Sequence, residues 1–130
     1  QRQMCIRDRC HALNTKGGVH SEFTIMRESE NSFYLVSAGA FQRLDHDWIH
    51  KWMPKDGSVI FENLTNSMGV LVVSGPKARQ LMQKVSRSDF SNERFKWLSA
   101  QNINIGLAPC NAMRVNFVGE LGWELHHPIE

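Results

Sequence analysis

The run Arg114-Val115-Asn116-Phe117-Val118-Gly119-Glu120-Leu121-Gly122-Trp123-Glu124-Leu125-His126 holds one carboxylate, Glu120, between two glycines. Arg114, Asn116 and Val118 alternate with Val115 and Phe117, a period of two that predicts a half-buried strand. Gly119-Glu120-Leu121-Gly122 then reads as a tight turn, and Trp123 to His126 as the returning strand. Glycine reaches backbone angles closed to other residues and lets a ligand come close. A carboxylate fixed at such a turn has the acceptors for two parallel N–H donors, such as the amino-pyrimidine edge of a pterin. The same pattern suits a plain hairpin with a solvated glutamate, so the turn alone leaves both readings open.

A second carboxylate, Glu22, lies in an alternating run just after the double glycine Gly17-Gly18. It can serve as a general acid or base if a proton partner lies within about 2.6–3.2 Å. It can equally be a solvated carboxylate on an outward strand face, because the pattern leaves the pleat direction open. His46 and His50, at i and i+4, share a helix face and superficially match a zinc-peptidase helix. That motif needs Glu after the first His, where this chain has Asp47, and Trp48 and Ile49 fit an amphipathic surface helix. No metal site is therefore expected. His126-His127 beside Pro128 reads as a strand end. Ser74-Gly75-Pro76-Lys77 precedes a helix and so has anion-binding potential. It lacks a phosphate-loop glycine pattern, and ordinary capping is the better reading.

The elements that must carry these residues follow from periodicity. Val19 to Met26 and Ser32 to Ser37 predict two strands of a meander, the first preceded by a turn at Lys16-Gly17-Gly18. Phe41, Leu44, Trp48, Ile49 and Trp52 recur at helical spacing until Pro54 and Gly57 stop the helix. Ser58 to Asn63 predicts a strand. Met68 to Ser74 predicts another, apolar on both faces and hence central in its sheet. Gly75-Pro76 opens a helix whose buried face is Ala78, Leu81, Met82 and Val85. A loop with Phe95, Trp97 and Leu98 leads to strands over Gln101 to Leu107, Ala112 to Val118 and Trp123 to His126. The expected class is α+β: a strand meander plus β-α-β units with ferredoxin-like packing.

The formal charge of +2 carries no message about partners. Residues 1–9 hold three arginines against one aspartate, which accounts for all of it, so the remainder is neutral. That balance points to neither nucleic acid nor membrane as a partner. Setting Cys5 aside with that segment leaves Cys10 and Cys110, too few and too far apart for a metal cluster or a disulfide framework. No apolar run approaches the ~18–20 residues of a membrane span.

Val118-Gly119-Glu120-Leu121-Gly122-Trp123-Glu124-Leu125-His126 resembles the Y-x-G-E-x-G-x-E block of the aminomethyltransferase (glycine-cleavage T-protein) family. It is most similar to the branch fused to dimethylglycine and sarcosine dehydrogenases. Blocks in the same order extend the resemblance from about Leu13 to Ile129: Gly17 to Ile25, Phe33 to Ala38, Leu71 to Pro76 and Phe95 to Ser99. The resemblance implies a tetrahydrofolate-binding domain. In it Glu120, flanked by Gly119 and Gly122, holds the pterin ring. Glu22 stands where the family has a catalytic aspartate, one methylene longer. Ser37 offers a hydroxyl near a strand end where many members carry an asparagine; here the next residue is Ala38.

The resemblance further implies a parent enzyme whose FAD domain oxidises an N-methylated amine. The folate domain then captures the one-carbon unit as 5,10-methylenetetrahydrofolate. The alternatives are a stand-alone aminomethyltransferase and a non-catalytic folate-binding module. The expected location is bacterial cytoplasm, or the mitochondrial matrix in a eukaryote. Residues 1–9 read as a non-native, adapter-like segment and residues 10–130 as an incomplete aminomethyltransferase-type domain, poorly soluble and without turnover in isolation.

Overall fold

The computed structural model describes residues 5–130, with side chains from Arg9 onward. Its elements are β1 (Cys5–Leu13), β2 (Val19–Arg27), β3 (Phe33–Val36), α1 (Gln42–Trp52), β4 (Met68–Ser74), α2 (Ala78–Val85), β5 (Ser99–Ile105), β6 (Ala108–Met113) and β7 (Gly122–Pro128). This is a strand-rich α+β fold in which antiparallel pairing dominates. The chain divides into two compact units: residues 8–63, and residues 64–130 with the start of β1.

In the first unit β3, β2 and β1 are hydrogen-bonded neighbours in that order. The turn between β1 and β2 is built by Asn14, whose Oδ1 accepts from the amides of Lys16 at 2.9 Å and Gly18 at 3.0 Å. Gly17 supplies the positive φ of 80° that this tight path requires. β2 and β3 pair antiparallel from Thr24 opposite Val36 to Arg27 opposite Phe33, giving the expected meander. β1 covers Cys5–Leu13, so it includes Cys5 to Arg9 of the segment read as adapter-like. Residues 1–4 of that segment lie outside the described residues.

α1 forms where the spacing places it and packs through Trp48, whose ring lies 6.2 Å from His20 and 6.3 Å from Phe23. Its inward face differs from the predicted stripe. Asp45 is buried, while Phe41, Leu44 and Trp52 are exposed. Asp45 stands in the first turn, where the helix dipole favours a carboxylate. Lys51 lies over the Trp52 ring at 5.1 Å and keeps it at the surface. The strand expected over Ser58 to Asn63 does not form; Ile60 is 93% exposed. Phe61 instead turns edge-on to His46 at 5.6 Å and His50 at 5.2 Å, so α1 takes the contact a sheet would have used.

In the second unit the strands run β5-β6-β7-β4, every neighbouring pair antiparallel, with Cys5 and Ile6 of β1 paired to β5. β4 was expected to be central. It is the last strand of the order: it pairs only with β7 among the described residues, and Val70, Leu71 and Val72 are 49%, 60% and 63% exposed. β7 takes the interior place, bonded to β6 on one side and β4 on the other. An apolar run fits a strand covered on both faces, but its place in the order depends on partners distant in sequence. The face predicted for α2 is half right: Ala78 and Met82 are buried, Leu81 and Val85 exposed.

The core of this unit is Ala78, Met82, Phe90, Phe95, Ile103, Cys110, Ala112, Trp123 and Leu125. Trp123 is fully buried, with Phe90 at 5.4 Å and Phe95 at 6.0 Å, both edge-on. Removing an aromatic side chain of this kind costs about 3–5 kcal/mol. Trp123→Ala should accordingly lower stability by that amount in urea unfolding of the full chain. Burial pushes the Cys110 thiol up to about 11, leaving almost no thiolate near neutrality. Alkylation with iodoacetamide at pH 8, read by peptide mass spectrometry, should spare Cys110 in the folded chain and modify it in denaturant.

Candidate functional site

β6 ends at Met113, so the expected strand through Val118 stops five residues early. Residues 114–121 form an irregular loop between β6 and β7, not a tight hairpin turn. The alternation that predicted a strand has another cause. Arg114 and Val115 are buried, while Phe117 is 87% exposed. Ladder pairing stops at Met113 opposite Glu124.

The Asn116 side chain clasps the loop. The Asn116 amide donates to Ser74 Oγ at 2.8 Å and to the Glu120 carbonyl, and its Oδ1 accepts from the Val118 amide at 2.8 Å. The Gly75 amide donates to the Leu121 carbonyl at 2.8 Å, tying the loop to the end of β4 a second time. Between these anchors Gly119 adopts a φ of 78°. The Glu120 side chain is exposed, and among the described residues its carboxylate has no hydrogen-bond or ion-pair partner. A carboxylate on a fixed backbone with both oxygens open can accept two N–H donors at once.

The two glycines differ in role. A Cβ on Gly119 would meet nothing within 4 Å, so the backbone angle alone selects glycine there. A Cβ on Gly122 would lie 2.6 Å from the Val73 carbonyl and 2.9 Å from the Asn116 amide. Gly122 is thus demanded by the pairing of β4 with β7 and by the Asn116 clasp.

Glu22 and Ser37 belong to the first unit. Glu22 is half exposed, with one oxygen 3.1 Å from His11 Nε2 and the other 3.3 Å from Arg9. Arg9 and His11 alternate on β1, and Glu22 reaches both from neighbouring β2. The His11 contact is within the reach that proton exchange requires. Ser37 is half-buried directly after β3, whose last residue Val36 stands opposite Thr24. Phe23 and Met26, three apart on β2, are both buried, so the pleat is covered on both sides and the alternation could not orient Glu22.

Arg114 was read only as a strand residue. Its guanidinium is buried, donates to the Phe95 carbonyl and to Asn92 Oδ1 at 2.7 Å, and lies 5.8 Å from the Trp123 ring centre. Burial first, and repulsion from Arg79 second, pull its pKa down. Arginine opening a run that ends in tryptophan was the available signal. Asn116 was likewise read as a strand residue; asparagine three before glycine is a loop signal outweighed by the apparent alternation.

His46 and His50 lie with ring centres 4.2 Å apart. Among the described residues no three His, Cys, Asp or Glu side chains gather as metal ligands. No described helix is long and apolar enough to cross a membrane.

Residues 10–130 match the GCVT N-terminal domain family. The chain is 37% identical over 121 residues to the mitochondrial dimethylglycine dehydrogenase of Homo sapiens, a match covering 92% of this chain and 14% of that protein. It is 32% identical to the mitochondrial sarcosine dehydrogenase of Mus musculus, over 89% of this chain and 14% of that protein. It is 29% identical to an aminomethyltransferase of Thermoanaerobacter sp. (strain X514), over 88% of this chain and 31% of that protein. The chain therefore spans about a seventh of the length of the two dehydrogenases.

The two glycines predict different penalties. Gly119→Ala forces a left-handed angle on a side chain in open space and should cost about 1–2 kcal/mol. Gly122→Ala drives a methyl into a backbone carbonyl that cannot move aside, so its cost should lie at or above the top of the usual overpacking range, about 3 kcal/mol. Urea midpoints of the two variants check the order.

Proposed function

The chain belongs to the GCVT N-terminal domain family, and on that premise we propose that it binds tetrahydrofolate within a dimethylglycine/sarcosine dehydrogenase-like enzyme. The observation that carries this reading is the fixed loop that leaves the Glu120 carboxylate exposed and unpaired. The donor set fits the group: a pterin offers adjacent N–H donors, and Glu120 offers two acceptor oxygens in one plane. Gly119 lets the backbone turn so that the carboxylate projects, and Gly122 closes the loop onto β4.

Tetrahydrofolate, when bound, takes up the one-carbon unit of an oxidised N-methyl amine, giving 5,10-methylenetetrahydrofolate. The oxidation itself belongs to flavin (FAD) chemistry elsewhere in the parent protein, where the small N-methylated amine is the substrate. Glu22 is assigned to proton handling. With His11 at 3.1 Å it has a partner that can take or return a proton without the backbone moving. The half-buried Ser37 hydroxyl is assigned a supporting hydrogen bond to the folate.

In this reading residues 10–130 are domain sequence, and the β-α-β units carry ferredoxin-like packing. The location is the mitochondrial matrix in a eukaryote, in keeping with the names of the dehydrogenase relatives, or the cytoplasm in a bacterium.

Glu120→Ala should weaken tetrahydrofolate binding at least about tenfold, since hydrogen bonds to a charged group contribute about 1.5–3 kcal/mol. Titration calorimetry under anaerobic conditions reads it directly. Equal affinity of the variant and the parent chain would sink the assignment.

A further inference from the structure

Two guanidinium groups converge on a single neutral oxygen at the base of the Glu120 loop. Arg79, on α2, donates to Asn92 Oδ1 at 2.8 Å and to the Phe90 carbonyl. Arg114 donates to the same Oδ1 at 2.7 Å and to the Phe95 carbonyl. Both lie against the Trp123 ring, at 5.7 and 5.8 Å from its centre. The acceptors are carbonyl and amide oxygens, and the π face of tryptophan supplies the remaining attraction.

The placement of these groups matters more than their number. Arg114 is the first residue after β6, and Trp123 is the second residue of β7. The Arg114–Trp123 contact therefore joins the two ends of the loop that carries Glu120. Asn92 and Phe95 bring in the segment between α2 and β5, and Arg79 brings in α2 itself.

We infer that Arg114, braced by Arg79 through Asn92, is a positioning residue that fixes the conformation of residues 114–121 and thereby aims the Glu120 carboxylate. The inference rests on the folate reading for its ligand and on geometry alone for its loop. Arginine suits the task because its planar fork meets two acceptors while its face lies on an aromatic ring. Lysine keeps the charge and loses the fork, so Arg114→Lys isolates the geometry.

The test uses the full chain, with tetrahydrofolate as probe. Arg114→Lys should speed amide hydrogen exchange at Val118 and Gly75, whose amides donate to Asn116 Oδ1 and to the Leu121 carbonyl, about tenfold or more, while the melting midpoint falls only by a few degrees. It should also weaken tetrahydrofolate binding, and the double variant with Glu120→Ala should bind no worse than Glu120→Ala alone. A merely structural role would make the two losses add. Asn92→Ala, at an exposed position, should reproduce the exchange effect, which keeps the test open if Arg114→Lys fails to fold. Unchanged exchange in both variants, or additive losses, overturns the inference. Faster exchange with full affinity in Glu120→Ala leaves the loop clamp standing and removes the folate reading instead.

Discussion

The burial of Trp123 is the constraint on which the second unit depends. The ring meets Phe90 and Phe95 edge-on and lies beneath two guanidinium groups. One side chain thus ties β7 to α2, to the segment between α2 and β5, and to the residue leaving β6. An indole can do this because its edge and its face carry opposite partial charge. Rings pack against its body while cations settle on its face. Placing charge beside a core is costly unless every donor finds an acceptor. The carbonyls of Phe90 and Phe95 accept from the two guanidinium groups, from the same segment that supplies the rings, while Arg114 Nε and Trp123 Nε1 are buried without a hydrogen-bond partner among the described residues. The same residues supply the packing and the acceptors that are present, so few of them can change independently.

Much of the fold was legible because its elements are local. β2, β3, α1, β4, α2, β5 and β7 arise where periodicity, glycine and proline place them. The failures occur where a distant partner decides. Val70, Leu71 and Val72 read as a central strand, but centrality depends on having neighbours on both sides, and β4 has only β7 among the described residues. Val59, Ile60 and Phe61 read as a strand, but Phe61 is taken by the histidines of α1. The alternation of Arg114 to Val118 looked like a pleat. It records instead an arginine drawn into an aromatic cluster and a valine following it inward.

The candidate site divides in the same way. Glu120 was visible because the block around it resembles a family motif, the turn alone suiting a plain hairpin equally well, and the structure gives it a fixed backbone and a free side chain. Glu22 was visible as a residue type in a position, but its surroundings were not. The contacts to Arg9 and His11 come from a neighbouring strand, and half of that strand lies in the segment whose sequence reads as adapter-like. Asn116 and Arg114, which hold the loop, were hidden because their work is done through hydrogen bonds to residues 42 and 22 positions away. Sequence patterns report what a residue is next to; they do not report what it reaches.

The close approach of Gly122 to the Val73 carbonyl bears on what a motif can certify. Within Gly119-Glu120-Leu121-Gly122-Trp123, only the glutamate presents chemistry outward. Gly122 is dictated by the strand behind it and Trp123 by the core beneath it. A descendant that no longer bound a ligand there would still be compelled to keep those two letters in order to fold, and would be free to vary the glutamate. Recognition by the whole block is therefore a statement about architecture, and the side chain at position 120 is the one letter in it that testifies about ligand.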